Sequence, residues 1–350
     1  MKEPKVLFVG AGAIGASVAA WVAESYGAVW VIDVGQTQAA LRADGITTYQ
    51  FAAPERTRRT VRVHTVERPS DLPDVGIVVL AVKNYSLEAV AHQLREDLGD
   101  RPIIVSMANG IDNQRILPRF FTKVIYCVVA YNARVDAPGV VGYQHKGPLL
   151  IGTLDNTLPA ELQLVQTILA RGCPTQIVDR LQDAVHTKIV INLANALDAL
   201  VGHGWRPSSN FAAYQQLFSH TLWEGVCIVR AAGFREYRMA GIPSFATLRL
   251  AALLPGWLIR SLFKRRLRAI VMSSMTQDLE LHGAHATELE SITGYILRLA
   301  AQYRVPAPYN RTIYRLGREK FHPGFEPLPC EEVLAAVKEE MKGRAASPAF

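Results

Sequence analysis

A glycine-rich turn close to the start of the chain constrains the fold more than any other feature. The apolar run of residues 6–9 breaks on Gly10, Gly12 and Gly15, and a stretch typical of a helix follows. In a dinucleotide-binding unit, the first glycine takes the tight turn, the second lets a pyrophosphate approach, and the third lets the helix pack on the strand. The anion then binds the backbone N–H groups at the start of the helix, which include those of Ala13 and Ile14. The order strand, turn and helix therefore predicts a Rossmann-type beginning, with a glycine turn that holds no ligand as the alternative.

An acidic residue ends the second apolar strand, residues 29–32. This residue is Asp33, and about 20 residues after the glycines is where an acidic side chain holds a ribose 2′-hydroxyl. A basic cluster farther along the chain favours NADP(H) instead, because an arginine near the ribose accommodates a 2′-phosphate. The cluster consists of Arg56, Arg58, Arg59 and Arg62. Since Asp33 would repel a phosphate, we predict NAD(H) as the cofactor, with NADP(H) as the alternative.

Length and composition limit the remaining classes of protein. A chain of 350 residues is long enough for two domains, and its formal net charge of +7 favours anionic ligands. Nucleic acid is not expected, because no basic motif has interleaved aromatic residues. The four cysteines lack metal-ligand spacing and follow no secretory signal, which predicts reduced thiols, no metal site and a cytoplasmic location.

Membrane association has one candidate segment. No run of 18 uninterrupted apolar residues occurs, so we predict no membrane span. Residues 248–270 form a basic amphipathic stretch that suits either an acidic membrane surface or a helix hairpin with a solvated charged face. Pro255 and Gly256 interrupt the stretch and favour the hairpin.

The hydrophobic pattern divides the chain into an α/β part and an all-α part. Residues 75–82 and 103–106 read as parallel strands covered on both faces, which predicts a doubly wound sheet over residues 1–179. The strand pattern then stops, and we predict an all-helical domain over residues 180–337. Residues 338–350 are predicted to form a frayed tail. The predicted helices of the second domain are 185–200, 211–232, 246–262, 272–282 and 288–303.

Polar residues in the predicted helix 185–200 are the first candidates for chemistry. Lys188 and Asn192 are four residues apart and share a face, and Asn195 follows one turn later. Burial of a lysine cation is costly, so its pKa should fall unless a carboxylate pairs with it. The alternative is a lysine that reaches solvent and asparagines that cap neighbouring helices.

The last predicted helices contain a possible partner for this lysine. Thr287 and Glu290 fit a capping box, which gives Glu290 a structural explanation. Glu288 has no such explanation and suits a buried lysine as its carboxylate partner. Lys83 and Asn109 follow two predicted parallel strands, at the sheet edge where ligands of such sheets bind.

Six separated motifs resemble, in order, those of the ketopantoate reductase (2-dehydropantoate 2-reductase) family. They extend from residue 5 to about residue 315, so the resemblance is more specific than the glycine turn alone. They are Gly10-x-Gly12-x-x-Gly15, Val82-Lys83, Asn109-Gly110, Lys188-x3-Asn192, Ser273-Ser274-Met275-x-Gln277-Asp278 and Thr287-Glu288-Leu-Glu-Ser-Ile-x-Gly294.

The resemblance implies a Rossmann domain, a helical domain and a catalytic cleft between them. It implies that Lys188 is the general acid that protonates the substrate's keto oxygen as hydride arrives. Glu288 would hold and tune that lysine and contact the cofactor. The substrate would contact Asn192, Ser274, Asn195 and Lys83, and the cofactor would contact Lys83 and Asn109.

One departure from the family pattern bears on the substrate. Ala196 stands where a second asparagine is common, and Asn195 lies one position earlier, rotated by about 100° on the helix. We therefore predict NAD(P)H-dependent reduction of a small 2-oxo acid, with 2-dehydropantoate as the first candidate. The alternatives are an NAD-dependent D-2-hydroxyacid dehydrogenase and a non-catalytic dinucleotide-binding regulator. The apolar helices of the second domain are compatible with a homodimer.

Overall fold

The chain folds into two compact units. The computed structural model describes residues 3–267, 273–282, 287–322 and 324–345. Unit 1 is Met1–Val185 and unit 2 is His186–Phe350. The division falls inside a helix that begins at Leu181, whereas the sequence predicts it after residue 179. The boundary in the structure thus lies slightly later in the chain than predicted, inside one continuous helix.

Unit 1 is built on a large sheet that is parallel except at one strand pair. The strand order is β12-β11-β8-β7-β6-β1-β2-β5, and only β8 and β11 run antiparallel within the described sheet. This arrangement confirms the predicted doubly wound fold. The strands of unit 1 are β1 (Lys5–Val9), β2 (Val29–Ile32), β3 (Ile46–Gln50), β4 (Arg59–Val61), β5 (His64–Thr65), β6 (Val75–Leu80), β7 (Ile103–Ser106), β8 (Val124–Val129), β9 (Ala133–Ala137), β10 (Val140–Tyr143), β11 (Leu149–Gly152) and β12 (Thr175–Ile177).

A second, smaller sheet has the order β4-β3-β10-β9. After residue 44 the sequence shows no regular strand pattern and predicts a less regular region up to Arg68, and the strands β3 and β4 correct this prediction. The short strands β3 and β4 are rich in threonine and lack a continuous apolar run, so their strand character depends on the pairing of β3 with β10 and of β4 with β3. The helices of unit 1 are α1 (Ala13–Ala23), α2 (Gly35–Asp44), α3 (Pro54–Thr57), α4 (Asn84–Leu98), α5 (Asp112–Ile116) and α6 (Pro159–Leu169), and helix α7 (Leu181–Val201) continues into unit 2.

Unit 2 is helical in its described residues, as predicted. Its helices after α7 are α8 (Phe211–Ala231), α9 (Phe245–Leu253), α10 (Gly256–Leu267), α11 (Ser274–His282), α12 (Tyr295–Gln302), α13 (Pro308–Lys320) and α14 (Cys330–Ala345), and a π-helical turn, Glu290–Gly294, precedes α12.

Three helix predictions need correction. The predicted helix 246–262 is two helices, because the chain breaks before Gly256 at Pro255, which lacks a backbone N–H. The sequence analysis missed α13 and α14 altogether. Residues 338–345 of the predicted tail are helical, while residues 346–350 lie outside the described residues. Met272, which we predict at the start of a helix, also lies outside them.

Helix α7 is buried over most of its length. Its residues Leu193, Leu197 and Leu200 are fully buried. Helix α8 approaches α7 closely at Gly225, where a Cβ atom would lie 2.4 Å from Cδ1 of Leu193. Among the described residues, α7 alone is long and apolar enough to cross a membrane, and 83% of that stretch is buried within the structure.

The four cysteines are free thiols, as predicted. Cys127, Cys173 and Cys330 are buried and Cys227 is partly buried. Burial raises the pKa of Cys173 to about 12, which keeps this thiol protonated at neutral pH.

Candidate functional site

The glycine turn between β1 and α1 has a different requirement at each glycine. Gly10 has a φ of +95°, which favours glycine, and a Cβ atom there would lie 2.9 Å from the carbonyl oxygen of Ala81. A Cβ atom at Gly15 would lie 1.9 Å from the carbonyl oxygen of Gly10. At Gly12 it would meet nothing within 4 Å. Close packing therefore explains Gly10 and Gly15, and Gly12 borders open space in front of the turn.

Helix α1 begins directly after this open space. Gly12 is the N-cap residue, and Ala13 and Ile14 form the first turn and are partly buried. The first N–H groups of an α-helix have no partner within the helix, and the helix dipole adds positive potential there. The turn thus leaves room for phosphate groups and offers them backbone donors.

Asp33 lies at the end of β2, beside the turn. Its carboxylate accepts hydrogen bonds from the backbone N–H of Ala11 and from that of Val34, the latter at 2.7 Å. The backbone N–H of Asp33 donates to Oε1 of Gln38 at 2.9 Å. A carboxylate has about four lone-pair positions, so Asp33 retains acceptor capacity for a further hydroxyl group. The structure therefore assigns Asp33 a role in shaping the turn, which the sequence analysis did not foresee.

The predicted basic cluster lies on exposed positions of α3 and β4 and of the residue that follows each of them. Arg62 donates to the carbonyl oxygen of Ala43, and the guanidinium of Arg58 lies 6.0 Å from the ring centroid of Tyr49. The cluster is thus in part engaged in contacts within unit 1.

Side-chain amides shape the loops at the ends of β6 and β7. Nδ2 of Asn84 donates to the carbonyl oxygen of Asn109 at 2.7 Å and so joins the two loops. Nδ2 of Asn113 donates to Oγ of Ser106 at 3.0 Å. Lys83 and Asn109 are partly buried at these loops. Lys83 and Asn109 are predicted site residues, whereas the two asparagines that hold their loops are not, because amides in such positions have no distinctive spacing.

Helix α7 places the candidate lysine among apolar neighbours. Lys188 is partly buried, and Asn192, one turn later, is 7% exposed. Desolvation by burial lowers the pKa of Lys188 from 10.5 to about 8. The lysine therefore releases its proton much closer to neutral pH than an ordinary lysine. Burial is the cause of this lowered pKa. The tuning of the Lys188 pKa by Glu288, which the resemblance implies, therefore stays a prediction.

The residues just before Lys188 are held by contacts across unit 2. Nε2 of His186 and the hydroxyl of Tyr295 form a hydrogen bond of 2.7 Å, and the His186 ring stacks on Phe234 with centroids 3.4 Å apart. Oγ1 of Thr187 accepts a hydrogen bond from the backbone N–H of Tyr237 at 3.0 Å. The sequence analysis missed this anchoring because it joins residues far apart in the chain.

The Ser273–Ser274 pair divides into a structural residue and a candidate binding residue. Oγ of Ser273 accepts from the backbone N–H of Thr276 at 3.2 Å, and it donates to the carbonyl oxygen of Asn195 at 3.4 Å. Ser273 therefore caps α11 and brings this segment against α7. Ser274 is partly buried at the first position of the helix.

The π-helical turn begins two residues after Glu288. Glu288 is 4% exposed and has polar interactions in the structure. Glu290 does not form the predicted capping box. Its carboxylate instead binds Arg298 and accepts a hydrogen bond from the hydroxyl of Tyr314. π-helical turns are rare and are often found at functional sites.

Two candidate positions on α7 differ in their surroundings. Asn195 is partly buried, whereas Ala196 is fully buried in the hydrophobic core of unit 2. A side chain at position 196 therefore faces the core, and Asn195 supplies the polar group at this level of the helix.

Comparison with known families covers both units. A model described as "Ketopantoate reductase PanE/ApbA" matches residues 6–156. A second, described as "Ketopantoate reductase PanE/ApbA C terminal", matches residues 180–321.

Curated relatives carry the name 2-dehydropantoate 2-reductase. The relative from Archaeoglobus fulgidus is 26% identical over 326 residues, which cover 91% of this chain and 98% of the relative. The relative from Halobacterium salinarum is 25% identical over 319 residues, which cover 90% and 98%.

Solved structures share the fold over nearly the whole chain. A PanE/ApbA family ketopantoate reductase from Ralstonia eutropha JMP134 has a TM-score of 0.69 at 23% identity, covering 96% of this chain and 99% of that one. A D-mandelate dehydrogenase with NADH and anilino(oxo)acetate has a TM-score of 0.72 at 18% identity, covering 95% and 99%.

Proposed function

The chain belongs to the ketopantoate reductase family, and we propose that it reduces a small 2-oxo acid to the 2-hydroxy acid with a nicotinamide cofactor. The relatives named 2-dehydropantoate 2-reductase make 2-dehydropantoate the first candidate substrate. The observation that carries the proposal is a partly buried lysine with a depressed pKa on α7, one helical turn before a buried asparagine.

Lys188 is proposed as the proton donor. Bound NAD(P)H supplies the hydride. As the carbonyl carbon accepts it, negative charge develops on the keto oxygen, and a nearby ammonium group stabilises this charge and delivers its proton. A donor with a pKa of about 8 is largely protonated at neutral pH and gives up its proton readily. An exposed lysine would hold the proton more tightly.

The other candidate residues are proposed to bind and orient. Asn192 and Ser274 would donate or accept hydrogen bonds at the substrate, with Asn195 as a further contact. Glu288 would hold the ammonium group of Lys188, and Lys83 and Asn109 would contact the cofactor. The hydrogen bond between His186 and Tyr295 supports this assignment, because it fixes α7 relative to the helix that follows the Glu288 segment.

NADH is proposed as the preferred cofactor. The open space at Gly12 and the donors at the start of α1 fit the pyrophosphate. Asp33 retains lone pairs for a ribose hydroxyl, and its negative charge disfavours a 2′-phosphate.

One alternative uses the same residues in reverse. In an NAD-dependent D-2-hydroxyacid dehydrogenase, neutral Lys188 would accept the hydroxyl proton. The Asp33 carboxylate at the end of β2 favours this candidate, because it suits NAD. The proposed location is cytoplasmic in either case.

A steady-state assay against a panel of branched and aromatic 2-oxo acids tests the proposal. We expect the highest kcat/KM with 2-dehydropantoate and NADH. A higher kcat/KM with another member of the panel assigns a different substrate within the same reaction. Binding of NADH without turnover of any panel member contradicts the enzyme and supports the dinucleotide-binding regulator.

A further inference from the structure

Exposed apolar side chains concentrate on α9 and the start of α10. Five of the thirteen strongly exposed large hydrophobic residues in the described part of the chain fall within residues 250–258. Trp257 is 71% exposed and Leu253 is 62% exposed. Contiguous apolar exposure of this kind marks interaction surfaces. We name this surface the 250–258 patch, which consists of Leu250, Leu253, Leu254, Trp257 and Leu258.

The two helices use other residues to pack on unit 2. Helix α9 buries Phe245 and Leu248. Helix α10 is anchored by Phe263, whose ring lies 5.4 Å from that of Phe218. The patch is therefore presented on helices that are already fixed to the core.

The surroundings of the patch are basic. Between Glu236 and Asp278 the sequence contains seven Lys or Arg residues and no acidic residue. Arg249 and Arg260 are exposed on either side of the patch. Arg249 also lines a pocket together with Arg230, Arg235 and one carboxylate, that of Glu236. A partner for this surface must offer negative charge as well as apolar volume.

We propose that the 250–258 patch docks on the surface of an anionic lipid bilayer. Leucine and tryptophan side chains enter the boundary between headgroups and acyl chains, and flanking cations bind the anionic headgroups. Such binding needs no membrane-spanning helix.

Charge argues against two other occupants. A symmetric contact with a second copy brings two basic segments together without an acidic residue between Glu236 and Asp278 to pair with them, which is unfavourable. Nucleic acid matches the cations but leaves the exposed leucines without an apolar partner.

Co-sedimentation with vesicles tests the proposal. The full chain is mixed with vesicles of phosphatidylcholine alone or with 30 mol% phosphatidylglycerol, at low salt and at 0.5 M NaCl. We expect binding about tenfold tighter to the anionic vesicles, and weaker binding at high salt.

A matched pair of double variants locates the contact. Leu253→Glu with Trp257→Glu places two negative charges in the patch. Leu154→Glu with Met341→Glu adds the same charge at exposed apolar positions elsewhere. We expect only the first variant to lose vesicle binding, with both variants showing the far-UV circular dichroism of the wild type.

Three results overturn the proposal. One is equal or absent binding to the two vesicle types, and another is equal loss of binding in both double variants. The third is a dimer of the wild type in sedimentation velocity that the patch variant dissociates and the control variant does not, while the wild type binds no vesicles. This result assigns the patch to self-association.

Discussion

The backbone N–H of Ala11 donates a hydrogen bond to the carboxylate of Asp33, which ties the glycine turn to the end of the second strand. One side chain thus shapes the turn and sets the charge where the cofactor ribose is proposed to bind. The charge is separable from the bond to the turn, because asparagine can keep its one oxygen toward the N–H of Ala11, while the exposed N–H of Val34 loses its acceptor and binds water.

Asp33→Asn should change cofactor preference more than stability. We expect the Kd for NADH to rise about tenfold, because a charged acceptor is replaced by a neutral one. The Kd for NADPH should fall, since repulsion of the 2′-phosphate is removed. Fluorescence titration with both cofactors measures this. A wild-type protein that strongly prefers NADPH contradicts our interpretation of Asp33.

Substitutions at two glycines of the turn should affect different properties, cofactor affinity at Gly12 and stability at Gly15. Gly12→Ala meets nothing within 4 Å, so we expect unfolding free energy to change by less than about 0.5 kcal/mol and cofactor affinity to fall at least about tenfold. Gly15→Ala should destabilise by about 2–3 kcal/mol, because its Cβ atom meets the backbone of Gly10. Gly27→Ala, which also meets nothing within 4 Å, is the control for both measurements.

Glu224 should stabilise the start of helix α13. Its carboxylate accepts from the backbone N–H groups of Tyr309 and Asn310, both at 2.9 Å, and from Nδ2 of Asn310. We expect Glu224→Ala to lower the free energy of unfolding by about 2–3 kcal/mol in urea titrations, because these donors lose their partner. Glu319→Ala removes an exposed ion pair with Arg315 and should cost less than about 0.5 kcal/mol. Equal effects contradict this role.

The same residue predicts a pH dependence of stability. Burial raises the pKa of Glu224 from 4.5 to about 7. The native state therefore binds its proton more tightly than the unfolded chain, and stability falls as the pH rises from about 4.5 through 7. Urea titrations across this range should show the decrease in the wild type and a smaller one in Glu224→Ala. An unchanged slope in the variant contradicts the assignment.

Burial of the charged Lys188 side chain should lower the free energy of unfolding at neutral pH. A pKa lowered from 10.5 to about 8 corresponds to about 3 kcal/mol against the charged native form. Lys188→Met should therefore raise the free energy of unfolding below pH 8. The gain should shrink as the pH rises from about 8 to above 10, because the native lysine loses its proton before the unfolded one. Lys320→Met, at an exposed position of α13, is the control, and an equal gain there contradicts the prediction.

Local patterns in the sequence predict the fold class and leave part of the architecture open. The continuous apolar run of β6 and the glycine turn indicate a parallel sheet because each has a direct physical cause. The small sheet does not follow from the sequence, because β3 becomes a strand only by pairing with β10 and β4 only by pairing with β3. Helix α13 carries many charged residues, and its packing depends on contacts such as that of Glu224.

The candidate site shows the same division. The spacing of Lys188 and Asn192 places them on one helix face, and the sequence is sufficient to predict this. The hydrogen bond between His186 and Tyr295 joins residues 109 positions apart, so it depends on the tertiary structure. The use of Asp33 to shape the turn likewise depends on the approach of β2 to the first turn.

Turnover of Lys188→Met with saturating NADH and the best 2-oxo acid of the panel tests the central claim most directly. We predict that kcat falls at least about a hundredfold, while the Kd for NADH stays within about threefold of the wild-type value. Wild-type kcat should also decline above about pH 8, where Lys188 loses its proton. Near-normal turnover in Lys188→Met contradicts the assignment of the proton donor.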